Sequence, residues 1–202
     1  MAEIKSTMEM VLERAARMEA EASDIGSAEL LSEEAAKDGM RAGAAYMRDG
    51  ETDLVAALDG CPPETRVHFI KGMAEALLRN INLPREDDSL DTSGQAMNGL
   101  TQAGRNHQEL LPVFADLTKI LDQYRQHCEQ LKEQLEANFA QMMPQLEAVM
   151  AQKTGQHMKL KPSQHPKYQE ELQKAMDDLN GQYSQAIDQH KQMVLQILTS
   201  QV

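Results

Sequence analysis

The sequence predicts an all-α protein in which a cluster of short helices is followed by a long antiparallel helical hairpin. Three observations lead there. Aromatic residues make up only 3% of the 202-residue chain, with no Trp, so 14 Met together with Leu and Ala must fill the core. Those residues favour helix, whereas strands draw on β-branched and aromatic side chains. Second, the stretch Leu117 to Met142, "LTKILDQYRQHCEQLKEQLEANFAQM", repeats an apolar residue every three or four positions, the period of a helix with one buried face. Third, Tyr168, Leu172, Met176, Leu179, Tyr183, Ile187, His190, Val194 and Ile197 repeat the pattern over a second segment. Both stripes bury most of their apolar area only if they pair, at about 25 cal/mol per Å².

Composition divides the chain. Residues 1–100 carry 10 Lys+Arg, 20 Asp+Glu and a single Gln, Gln95; residues 101–202 carry 10 Lys+Arg, 12 Asp+Glu and 19 Gln. The seam falls in "LPREDDSLDTSGQ", acidic and without periodicity, so residues 85–100 read as an acidic linker between an N-terminal helical region (1–84) and the hairpin (101–202).

In the first region, Ile4, Met8, Val11, Leu12, Ala15 and Met18 share a helical face. Ser27 reads as the N-cap of a second helix running to Met47, with Glu29 near its positive end. Gly39 and Gly43 lie four apart within it, a spacing that lets a neighbouring helix approach closely. Gly50 ends that helix, Thr52 caps a short one, and "GCPPE" is a turn. Val67, Ile70, Ala74, Leu77, Leu78 and Ile81 form the clearest stripe of this region, closed by Pro84.

In the second region, Leu117, Leu121, Tyr124, Cys128, Leu131 and Leu135 alternate steps of four and three, the seam of a coiled coil. The phase shifts through Phe139, Met142 and Leu146, and Pro144 should kink or interrupt the helix there. The connection "KTGQHMKLKPSQHPK" holds Pro162 and Pro166 and predicts a loop over 153–167.

A formal net charge of -12 argues against a nucleic-acid partner, since no domain-wide basic field exists. No apolar run approaches the roughly 20 residues that span a bilayer, and the start "MAEIKSTMEM" has no signal-peptide core. Cys61 and Cys128 form no disulfide framework, so free thiols in a reducing cytoplasm are expected.

Candidate sites are few. A hairpin turning near residue 160 would bring Cys128 close to His190, with His127 and His107 as further candidate ligands, and thiolate with imidazole suits zinc or another soft metal. Against it, no C-x-x-C, H-E-x-x-H or E-x-x-H spacing is present, and Cys128 as a small hydrophobe with His190 as a partly buried polar residue explains the pattern without a metal. Lys153, Lys159, Lys161 and Lys167, with His157 and His165, form a basic island free of acids. It suits an acidic partner, or serves simply as a solvated loop. Met142, Met143, Met150 and Met158 offer an adaptable peptide-binding surface, or core filling. Glu133 with Glu136 and Asp177 with Asp178 read as solvated helix faces. No nucleophile elbow, Walker A loop or G-x-G-x-x-G is present, and no cofactor is expected.

The stretch "EIKSTMEMVLER" (Glu3 to Arg14) resembles the opening of small uncharacterised bacterial proteins with an I-K-S-T-x-E first helix. That resemblance implies a bacterial setting and no catalytic residues. The expected function is non-enzymatic: a scaffold, adaptor or chaperone-like interaction module, self-associating as a homodimer through its long helices and engaging an unidentified protein, with neither nucleic acid nor membrane. The alternatives are a metal- or ligand-binding bundle acting as a thiol sensor through Cys128 and His190, and a helical subunit of a larger complex.

Overall fold

In the computed structural model, the described residues are 7–84, 88–154, 161–164 and 166–200, and they form helices and turns without strands. Six α-helices follow in order: α1 (Thr7–Asp49), α2 (Leu54–Asp59), α3 (Arg66–Leu78), α4 (Asp88–Ala103), α5 (Leu110–Thr154) and α6 (Pro166–Ser200). A single 3-10 turn, Pro162–Gln164, precedes α6. The all-α class and the long hairpin expected from the two stripes are both present.

The first region differs from expectation. α1 is one helix of 43 residues, so Ser27 lies inside it rather than capping a second helix. Side chains on α1 are described for Arg14 and from Ala28 onward, and the Ile4–Met18 face lies outside the described side chains. At the far end, Gly50 adopts φ +70° and its N–H donates to the Tyr46 carbonyl at 2.7 Å, which stops the helix. Asp49, not Thr52, organises the turn. Its carboxylate accepts from the N–H groups of Glu51 at 3.0 Å and Thr52 at 3.1 Å and from the Thr52 hydroxyl. Asp53 then caps α2, accepting from the Ala56 N–H at 2.9 Å.

The glycine spacing has the packing role expected of it. α3 crosses α1 so closely that a Cβ on Gly39 would meet the Phe69 carbonyl and lie 2.9 Å from the Met73 nitrogen. A Cβ on Gly43 would be 2.8 Å from the Met73 carbonyl oxygen, and one on Gly72 would meet the Ala36 carbonyl. On α3, Ile70, Ala74, Leu77 and Leu78 are buried as predicted, followed by Ile81 in the turn beyond. Val67 is the exception at 38% exposed, on the flank away from the core.

The expected linker is largely core. Residues 88–103 are helical, and Ser93, Ala96, Met97 and Leu100 are buried; residues 85–87 lie outside the described residues. Acidic and hydroxyl-bearing residues disguise the helix, because its buried face is built from small side chains. The Ser93 hydroxyl donates to the Asn80 carbonyl at 3.3 Å, giving the buried group a partner. Gln95, the one Gln of the first hundred residues, donates its amide to the Tyr46 carbonyl at 3.0 Å and so satisfies the α1 C-terminus. α4 ends in a paired turn in which the Asn106 N–H bonds the Thr101 carbonyl and the Arg105 N–H bonds the Gln102 carbonyl. Arg105 and Asn106 both take positive φ there, and the Arg105 guanidinium reaches Asp59 on α2.

α5 and α6 lie antiparallel. The ring pairs Tyr124–Tyr183 and Phe139–Tyr168, each with centroids 5.4 Å apart, set the register. Positions whose numbers sum to about 307 therefore face each other. α5 runs through Pro144 without ending, and it continues to Thr154. Its last three turns thus extend past the first residue of α6. One continuous core joins Ala35 and Tyr46 of α1, α3, α4, the first turns of α5 and the last turns of α6. Leu117, Leu121, Ile187, Val194 and Leu198 are at most 2% exposed, because α3 and α4 cover this end of the hairpin.

Gly72→Ala places a methyl against backbone that cannot rotate away, and the expected loss is about 1–3 kcal/mol in urea unfolding. Gly181→Ala on α6 meets open space and should instead gain about 0.5–1 kcal/mol. The hydrogen bonds to Asp49, led by the Glu51 N–H, hold its carboxyl below the usual aspartate range. Its contribution to stability is complete above the unfolded value and is lost as pH falls through the lower folded one. The stability difference between wild type and Asp49→Ala should therefore shrink in strongly acidic buffer.

Candidate interaction surface on the hairpin arm

Beyond Leu121 and Ile187 the hairpin leaves the common core and continues as a two-helix arm. Its buried residues are Tyr124, Cys128, Phe139, Met143 and Tyr168. Leu131, Leu135, Leu172, Met176, Leu179 and Tyr183 occupy the same seam but stay half-exposed. Two helices bring each side chain only one facing neighbour, so a seam without a covering layer remains partly wet.

The centre of the arm is polar and ordered. The Tyr124 hydroxyl donates to Asn180 Oδ1 at 2.6 Å. The Tyr183 hydroxyl lies 2.7 Å from His127 Nδ1, and its ring meets both Tyr124 and His127 edge to face. Burial, and secondly the Cys128 sulfur, push the Tyr183 phenol above its ordinary pKa. Tyr183 therefore stays protonated at neutral pH and its hydroxyl pairs with His127 Nδ1, which leaves Nε2 as the ring nitrogen open to solvent.

The predicted Cys128–His190 pairing does not form. With the observed register Cys128 faces residue 179, eleven residues from His190, or about 16 Å of helix rise. The sequence estimate placed the fold-back at the middle of the connecting segment, whereas α5 overshoots and the return is asymmetric. His190 Nδ1 instead lies 2.8 Å from the Ala186 carbonyl. No group of three or more His, Cys, Asp or Glu among the described residues has metal-binding geometry. His107 sits at the α4–α5 turn, with its Nδ1 4.0 Å from a Glu109 carboxylate oxygen.

The methionines separate. Met142 is 54% exposed, whereas Met143 is buried at 6% and is unavailable to a partner. The seam advances by two steps of four, from Leu135 to Phe139 to Met143, and that rotates Met142 outward. Of the basic island, Lys161 and Lys167 are exposed. Lys153 lies on α5 with its side chain outside the described set, and Lys159, His157 and His165 lie outside the described residues, as does Met158. The Met150 side chain is likewise outside that set.

Three of the grooves among the described residues bear on function. One of about 300 Å³ runs along the arm, with Leu131, Ala175 and Leu179 at its base and His127, Gln130, Gln134, Asp178 and Gln182 along its rims. A second, about 640 Å³, lies between α1 and α3 and carries Glu29, Glu33 and Glu75 beside His68 and Lys71. A third, about 280 Å³, lies between α3 and α6, where burial pushes Lys191 below its ordinary pKa against the opposing effect of Asp188.

Sequence reasoning missed the arm groove because its residues fall on no chemical motif. The visible signal was the Gln enrichment itself. The fold and this surface define a helical-hairpin protein with a capped base and an open arm. The match to known proteins is to a family of unknown function (DUF6657), over residues 55–196. That span is well over half of the chain, which belongs to the family; it takes in α2 through nearly all of α6. No curated protein and no solved structure matches.

Tyr183→Phe removes the hydroxyl that pairs with His127 Nδ1 and should cost about 1 kcal/mol in thermal or urea unfolding. It should also shift the His127 ring resonances in an NMR spectrum while leaving those of His68 in place.

Proposed function

We propose that this protein is a non-enzymatic interaction module that self-associates through the arm formed by α5 and α6. The observation behind this reading is the contrast along a single seam. At its base Leu117, Leu121, Val194 and Leu198 are closed over by α3 and α4, while Leu131, Leu135, Leu172, Met176 and Leu179 stay half-open. A half-covered row of Leu and Met with polar flanks suits helix-on-helix association. The exposed Met142 extends that surface toward the tip. Cys61 and Cys128 are both free and buried, which fits a reducing bacterial cytoplasm. No helix among the described residues is long and apolar enough to cross a membrane.

Sedimentation equilibrium from low micromolar concentration upward is the direct test. The expected result is a reversible rise in mass from monomer to dimer, unaffected by chelator. A monomer at every concentration would overturn self-association.

A further inference from the structure

α5 carries three faces. The seam faces α6. A charged face holds Arg125, Glu129, Lys132, Glu133 and Glu136. The third runs through Gln123, His127, Gln130, Gln134, Asn138 and Gln141, in steps of four, three, four, four and three. All six are exposed, and none is a Lys, Arg, Asp or Glu. α6 continues this surface with Ala175, Gln182, Ala186, Gln189 and the 41% exposed Met193, and carries the carboxylates Glu171 and Asp178 on the same stripe. Between them lies the arm groove, with Asp178 as its one carboxylate.

An uncharged face needs a reason in a chain of net charge -12. Two copies that met on the charged face, with its two cations and three carboxylates, would set some like charges together. The amide face is where they approach without that penalty, and its primary amides both donate and accept, so the same surface can pair with itself. Two of its side chains, an imidazole and a carboxylate, are complementary. The Nε2 edge of His127 is open to a partner because the Tyr183 hydroxyl occupies Nδ1, and Asp178 presents a carboxylate. Asp178 faces residue 129 in the observed register, so it stands within about 3 Å of axial height of His127. A two-fold axis running along the arm between these residues sets each His127 against the Asp178 position of the other copy, and an isologous interface requires that self-complementarity.

We infer that the amide face of the arm docks a second copy of this chain about a two-fold axis, with His127 set against Asp178 of the partner subunit over Leu131 and Leu179. This rests on the self-association reading and specifies its surface. The interface is a four-helix packing of two arms, closed at the dimer.

The test compares two double variants of the full chain by sedimentation and light scattering. Gln130→Glu/Gln134→Glu adds two negative charges on the amide face. Arg125→Gln/Lys132→Gln changes net charge equally on the charged face. All four positions are exposed, and circular dichroism with a melting curve confirms that each variant folds. The expected result is a dimer weakened on the order of tenfold or more by the first pair and by no more than about twofold by the second. Equal weakening by both, or a dimer that the first pair leaves intact, overturns this face while leaving self-association standing. Growth beyond the dimer overturns the two-fold arrangement. A wild-type chain that never associates overturns both readings.

Discussion

The seam between α5 and α6 is the constraint on which the rest depends. Two long amphipathic helices bury each other only in part, and something must close the remainder. At the base, α3 and α4 do so, and the contact is tight enough to bring Leu117 and Val194 to full burial. Among the described residues, α1, α3 and α4 serve that closure. α1 holds α3 in place through backbone contact at Gly39, Gly43 and Gly72. α4 fits beneath because its inward residues are Ser93, Ala96 and Gly99. Gln95 and Asp49 finish the α1 terminus, where orphan backbone groups would otherwise sit beside the core.

The same constraint explains why the molecule has two characters. Where the third layer is present the seam is dry. Where it ends, near Leu121 and Ile187, the hairpin fills its centre with aromatic rings and hydroxyls that tolerate water at one edge. Tyr124 and Tyr183 anchor Asn180 and His127 across the pair, which fixes register in a region where aliphatic packing alone would permit sliding.

Much of this architecture was legible in the residues. The stripe from Leu117 to Leu135 and the stripe from Tyr168 to Ile197 each carry an unambiguous helical period, and length alone implied pairing. Gly39 and Gly43 announced a close neighbour, though not which one. Three features were hidden. The register depended on how the connecting residues divide between helix and return, and nothing in "KTGQHMKLKPSQHPK" reveals that α5 passes Pro144 and ends at Thr154. The helix at 88–103 was masked by Asp, Ser and Thr, whose turn preference is outweighed by burial of Ala96, Met97 and Leu100. The continuity of α1 through Ser27 was missed because a serine beside Gly26 imitates a cap. The arm surface escaped notice for another reason: glutamine has no distinctive chemistry in isolation, and its meaning appears only when a helix aligns it.

The meeting of α1 and α3 carries one more consequence. At most packing positions a bulkier residue on one side can be balanced by a smaller one opposite, so sequences drift while volume is conserved. Here the opposing atoms at Gly39 and Gly72 are main-chain carbonyls, which no substitution can trim. Neither site has a compensating partner, so divergent copies of this protein can vary the side chains around the crossing but have no paired route to replace the glycines themselves.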